Sequence, residues 1–480
     1  MRPGLDWQSV SQSNAFLYAC LVSLYLWPID RVPGVNVYAH LNQAAAVVVE
    51  GTLAIDHMAS RPESITIDWS RAPDGHLYPA KAPGAGLAAV PVFFALYHTE
   101  RAAGVDPLTR QWFRRNSVAI NWVLNAVIAA FAILLLVRIG EALGVGRDAS
   151  RVGALAIAIG TGFYSYATIY YAHVPAASAL VITTYLLFTG EPRRRRDVAA
   201  GFFAGVAVLY DYPAALAVLC LSAALMVSEP QRIIGFVLGG LGPAAVLASY
   251  HQVAFGSPFT TAYVYQNPEF VAGDGTFLRR PNLRVLTELL IGQYRGLFFY
   301  SPVLIAGVCG AFLVWRGRAM SARPLASRVA TYTGAAAGTL VLWLLLNASY
   351  NVWWGGFTPG PRFLIPAFVL FAPLIGIGLQ RFPRIGFTLF LLSSANYFAI
   401  TAVAILVDEL VASPLTQVIY PAFVRGDFQR SNLGVFLGLD RHWSMVVPGC
   451  VMMMLLWISW GLLAASRQRR PLNKEDAITA

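Results

Sequence analysis

Twelve apolar stretches punctuate this chain of 480 residues, near positions 13–29, 117–137, 152–168, 174–189, 198–210, 213–228, 232–250, 298–315, 329–346, 363–379, 385–407 and 443–464. A bilayer's hydrocarbon core, about 30 Å thick, takes roughly 17–25 apolar residues per helix. Irregular backbone exposed to lipid would leave polar groups unsatisfied, so these stretches must be helical. Composition agrees: 57% of residues are hydrophobic and 12% charged, where a soluble domain carries about 25% charged residues. The expected fold is therefore an all-α polytopic membrane bundle of about 12 transmembrane helices. It forms one domain over residues 1–464, with a cytoplasmic tail at 465–480. The first stretch is too long for a cleaved signal and has no small-residue cleavage site, so it reads as a retained anchor. Residues 198–228 form either two spans in a tight hairpin or one kinked helix, and Pro213 favours an interruption.

The net charge of +11 does not point to nucleic acid, because the basic residues fall in short runs between apolar stretches and form no continuous stripe. Their distribution sets the orientation instead. With the N-terminus in the cytoplasm, the inside segments include Arg138 to Arg151, the run Arg193-Arg194-Arg195-Arg196, Arg316 to Arg328, Arg381 with Arg384, and Arg467 to Arg470. Inside segments then hold 19 of the 35 Lys and Arg residues, although they are much the shorter share of the loops. That bias is the positive-inside rule. Gly84 to Thr99 is apolar but short and carries Pro91, so it reads as a membrane-surface or half-inserted helix. The first external loop then runs over 30–116 with juxtamembrane helices, the second over 251–297, and an intermediate one over 408–442. Cys20, Cys220, Cys309 and Cys450 sit in apolar stretches with no metal or redox spacing.

Ionisable and aromatic residues gather in these loops and at the adjoining span ends. In the first, Val37 to Val49 reads as a short helix lying on the membrane, followed by Ile55-Asp56-His57. Asp74-Gly75 then signals a turn and returns the chain through Tyr78-Pro79-Ala80-Lys81-Ala82-Pro83. Lys81 at that return suits a phosphate headgroup, or snorkels to bulk lipid. The second loop opens with Phe255 to Tyr263 (FGSPFTTAY) and closes with Tyr294 to Pro302 (YRGLFFYSP), which contains Arg295. A third cluster runs from Tyr350 to Phe363, with Trp353 and Trp354 before a glycine turn and Arg362 at the head of a span. It is either an aromatic belt with a snorkelling arginine or a sugar or isoprenoid platform with a bidentate phosphate fork. Three comparable clusters on one face favour the second reading.

These motifs resemble the GT-C class of membrane glycosyltransferases, which take sugars from polyprenyl-phosphate carriers and include the protein O-mannosyltransferases and the lipid A aminoarabinose transferase. The resemblance rests on the Tyr78-to-Lys81 return, FGSPFTTAY, GLFFYSP and WWGGFTPGPRFLIPA. Lys81 matches the aminoarabinose transferase's phosphate-contacting lysine. Asn36 stands nearest the acidic pair of the mannosyltransferases. Val174, beside His173, replaces an acid at a later turn, and Asp211 stands where a lysine is expected.

What the resemblance implies is transfer of a sugar from a polyprenyl-phosphate donor to a lipid, glycan or protein acceptor at the extracytoplasmic face of a bacterial inner membrane, with inversion. A carboxylate serves as base and cations receive the leaving phosphate. Asp56 is the expected base; a solvated loop acid or helix cap is its plain alternative. Lys81 and Arg362 are the phosphate partners, with Arg295 in reserve. His173, Asp211, Tyr78, Trp353, Trp354 and Tyr263 are accessory candidates for sugar or acceptor. For His173 the alternative is a satisfied interfacial histidine, and for Asp211 a hydrogen-bonded acid at a hairpin. No cofactor is assigned, although Asp56 with His173 would suit a divalent metal ion. A flippase or exporter, or a ligase or polymerase of lipid-linked envelope saccharides, is the alternative function.

Overall fold

The computed structural model describes residues 13–29, 34–271, 277–317 and 323–468. Residues 30–33 of the first predicted loop, 272–276 of the second and the tail from 469 onward lie outside them. All twelve apolar stretches are occupied by helix. Six helices are long and apolar enough to cross a membrane, and shorter apolar ones such as Asn14–Leu26 and Leu304–Trp315 accompany them. The chain is thus an all-α integral membrane bundle. The two short strands described form a single hairpin.

Helix α1 (Val35–Ala45) continues through a π turn to Glu50 and stops at Gly51, whose φ of 70° ends the helix. Strands β1 (Trp69–Arg71) and β2 (Leu77–Pro79) pair antiparallel, and helix α2 (Gly84–Ala102) follows. Next come α3 (His173–Phe188), α4 (Arg194–Tyr210), α5 (Ala214–Ser228) and α6 (Ile233–Phe255). Last are α7 (Arg323–Asn347) and α8 (Arg362–Arg381), the latter wound in part as 3-10 turns and the most deeply buried of the six long helices.

Helix α1 corrects an expectation. Where a helix with one face open was expected, it is enclosed by protein from Asn36 to Ala45, including its polar Asn36, His40, Asn42 and Gln43. The cause is α2, which folds back over it. Gly86 of α2 lies so close to Gln43 that a Cβ there would come within 1.9 Å of the amide oxygen. At its start α2 docks on the end of α4, where a Cβ on Gly84 would meet the Leu209 carbonyl at 2.4 Å.

The chain breaks at Asp211-Tyr212-Pro213 into two helices, α4 and α5. They do not form a close-packed hairpin: α4 packs against α3 and α6, and α5 against α7. Small residues permit this, since a Cβ at Gly201 would fall 1.8 Å from the Phe236 carbonyl and one at Gly239 1.9 Å from that of Val198. Within a bilayer, where apolar contact alone does not drive helices together, such close backbone approach is a main source of association. The far end of α4 is tied by a buried ion pair, Asp197 to Arg232 at 2.8 Å. Between Asp197 and Asp211 the helix rises about 21 Å, so the arginine run and the Asp211 turn lie at opposite ends of α4.

Candidate active site

The β1–β2 hairpin delivers the first part of the site. Gly75, at φ 91°, makes the turn that Asp74-Gly75 signals, and the register pairs Trp69 with Pro79. One step further, the Ala80 amide donates to the Asp68 carbonyl at 3.1 Å. Lys81 is thereby placed beside Asp68, and its Nζ donates to Oδ1 at 2.7 Å. Asn36 of α1 donates to Oδ2 at 3.1 Å. Burial pushes the Asp68 carboxyl up, but the Lys81 ammonium and the two hydrogen bonds outweigh it and hold the group below the usual carboxylate range. His40 lies one helical turn beyond Asn36 on α1. It is fully buried, and neither ring nitrogen has a hydrogen-bond partner. Burial lowers its pKa to about 4, so it is neutral.

The second part forms where the start of α3 meets the end of α4. His173 Nδ1 lies 2.9 Å from Asp211 Oδ2 in a buried pair. The ring is bracketed by Tyr166 and Tyr171, each centred 6.3 Å away, and by Phe363 at 5.6 Å. Arg362, at the head of α8, lies over Tyr171 at 4.9 Å and Phe363 at 5.3 Å. Its Nε is buried without a hydrogen-bond partner. The turn before it is set by Gly355, Gly356 and Gly360, all in the left-handed region that disfavours other residues.

Residues of both parts line one cavity of about 670 Å³. Its lining gathers Lys81, Arg362, His173, Asp211, Tyr263 and Trp354, six of the residues singled out from sequence. Tyr263 stacks on Phe277 at 4.6 Å, and the Trp354 indole donates to Glu409 at 2.7 Å. The volume falls within the range of about 300–1,000 Å³ typical of small-molecule sites.

The other candidates lie elsewhere. Asp56 does not line the cavity; it starts the Asp56–Ser60 helix, accepts from the Leu77 amide at 3.0 Å and lies 3.1 Å from His76 Nδ1. It serves as a local tie between that helix and β2. Arg295 is fully buried, and its three nitrogens donate to the carbonyls of Trp354, Tyr294 and Gly356 at 2.8–3.0 Å, so it clamps the glycine turn and lies off the cavity lining. Tyr78 packs edge-on against Phe255 and Tyr250 in a separate small core. Trp353 stands edge-on to Tyr294, off the lining. Asp56 and His173 each have a different partner, so they do not make a metal pair. Among the described residues no three His, Cys, Asp or Glu side chains converge as metal ligands.

Asp68, Glu269 and Glu409 also line the cavity and were not expected. A signal for Asp68 exists in the sequence: along Ser64-Ile65-Thr66-Ile67-Asp68-Trp69-Ser70 the alternation is strand-like, but the polar members are buried and Ile65 and Ile67 are 61% and 40% exposed. Glu409 gives no such cue.

No protein family model and no curated protein matches the sequence. Solved structures do. ArnT from Cupriavidus metallidurans in the apo state aligns over 96% of this chain and 77% of its own, at 13% identity and a TM-score of 0.50. The same enzyme bound to undecaprenyl phosphate aligns over 96% and 78%, at 16% identity and a TM-score of 0.48. The Archaeoglobus fulgidus oligosaccharyltransferase in the apo form aligns over 96% and 56%, at 11% identity and a TM-score of 0.48. Along nearly its whole length, the chain has the fold of the GT-C membrane enzymes.

Proposed function

We propose that this protein is a membrane glycosyltransferase that moves a sugar from a polyprenyl-phosphate donor to an acceptor, with inversion at the anomeric carbon. The observation that carries the reading is the single cavity in which Lys81 and Arg362 meet the His173–Asp211 pair beside an aromatic wall. A leaving phosphate needs fixed positive charge where its own charge accumulates. Lys81 supplies a mobile ammonium held ready by Asp68, and Arg362 a planar fork whose stacking on Tyr171 and Phe363 fixes its plane. Tyr263, Tyr350 and Trp354 offer flat faces to a sugar or prenyl unit. The fold shared with ArnT supports the same donor class. The position of the arginine run at the far end of α4 supports a site on the extracytoplasmic face of the inner membrane, with both termini cytoplasmic.

The test supplies the full chain, in membranes, with labelled undecaprenyl-phosphate sugars and measures release of undecaprenyl phosphate. Wild type is expected to transfer, while Lys81→Met and Arg362→Met each lose activity at least tenfold. Equal transfer by both variants refutes the phosphate assignment. Movement of intact lipid-linked saccharide across the bilayer without transfer would favour the exporter.

A further inference from the structure

We propose that His173 is the general base of the transfer and Asp211 the residue that positions it. The proposal rests on the glycosyltransferase reading and deepens it. The two side chains are only 10% and 11% exposed and lie 2.9 Å apart. An ionised carboxylate can only accept a hydrogen bond, so Nδ1 carries the proton and Nε2 keeps its lone pair. Among the described residues nothing hydrogen-bonds Nε2, and the ring borders the cavity. Two tyrosines and Phe363 hold the ring in place.

Two of the cavity's other acids, Asp68 and Glu409, are less suited. Asp68 accepts from both Lys81 and Asn36 and is held in its charged, weakly basic form. Glu409 accepts from the Trp354 indole. A bare imidazole nitrogen backed by a carboxylate is the arrangement that activates hydroxyl nucleophiles in other folds. Here the acceptor hydroxyl gives its proton to His173 Nε2 while its oxygen bonds to the anomeric carbon. The bond from that carbon to the phosphate oxygen breaks, its electron pair stays on the oxygen, and the new charge develops beside Lys81 and Arg362. Asp211 stabilises the imidazolium until the proton leaves to water. The titratable groups around the pair are Tyr166, Tyr171, Tyr263, Tyr350 and Arg362, with Asp68, Lys81 and buried His40 beyond them.

The experiment uses the full chain in nanodiscs, with undecaprenyl phosphate as the binding probe and undecaprenyl-phosphate-linked hexose and pentose as donors. His173→Gln should lower transfer by about 10²–10⁴-fold while undecaprenyl phosphate binding stays within twofold. Asp211→Asn should lower transfer and displace the acid limb of the pH–rate profile, which should be missing from the residual rate of His173→Gln. In ¹⁵N-histidine spectra, the resonance that His173→Gln removes should report an Nδ1–H tautomer, and Asp211→Asn should convert it to Nε2–H. Transfer by His173→Gln within threefold of wild type, or an unchanged tautomer in Asp211→Asn, overturns the proposal. A wild-type protein that neither binds undecaprenyl phosphate nor releases it from any donor fails the glycosyltransferase reading instead.

Discussion

Replacing Lys81 with methionine strands the Asp68 carboxylate in a site where its side chain is 5% exposed. Removing one partner of a fully buried ion pair costs about 3–5 kcal/mol. Two features reduce that here. The Lys81 side chain keeps 22% of its surface exposed, and Asn36 still satisfies one carboxylate oxygen. About 2 kcal/mol is therefore expected for Lys81→Met. In the Lys81→Met/Asp68→Asn double variant no charge is unpaired, and about 1 kcal/mol should return. Binding of undecaprenyl phosphate should separate the two singles. Lys81→Met loses one charge-assisted hydrogen bond, about 1.5–3 kcal/mol, and so binds roughly 10- to 100-fold more weakly. Asp68→Asn releases Lys81 from its partner and should bind at least as tightly as wild type. Unfolding in nanodiscs and titration with the lipid phosphate measure both effects on the same four proteins. If Asp68→Asn weakens binding as much as Lys81→Met, or the two stability losses simply add, the pair does not act as a primed phosphate ligand.

Other sites make independent predictions. Between pH 6.5 and 4 an unfolded chain protonates His40 while the folded one does not, so stability should fall by about 3 kcal/mol as pH drops through that window. His40→Leu should remove that part of the slope in melts recorded across it. Arg295→Lys keeps the charge but cannot reach three carbonyls from one rigid fork; a stability loss of about 2 kcal/mol is expected, with lipid-phosphate affinity unchanged in whatever fraction stays folded. Asp56→Ala should cost about 1 kcal/mol as a lost helix-start tie and leave transfer close to wild type, since Asp56 lies off the cavity.

Those predictions divide along what the sequence could reveal. Helix positions were legible because lipid permits no other way to satisfy backbone polar groups, and Lys81 and Arg362 stood out as cavity-lining residues because each follows turn chemistry, Lys81 at the return of the first loop and Arg362 at the head of a span. The break at Asp211 followed from Pro213. The interior of the first loop was harder to read. Asp56 and Asp68 both sit in polar surroundings 12 residues apart, and only the hairpin register decides which one meets Lys81. Helix α1 misled because Val37, Leu41 and the alanines suit a membrane surface as well as a protein interior. Its buried Asn36 and His40 tell the two apart once α2 is seen to cover them. Arg295 shows the converse limit: a lone arginine in a Gly-rich loop reads the same whether it meets a phosphate or three carbonyls.

The most direct test of the account is native mass spectrometry of the protein purified from membranes. A polyprenyl phosphate or its monosaccharide derivative should travel with wild type and be absent from the Lys81→Met/Arg362→Met double variant, while Asp56→Ala retains it. The same lipid retained by the double variant, or no isoprenoid phosphate on the folded wild-type protein, would contradict the proposal that this cavity grips a lipid-borne sugar phosphate.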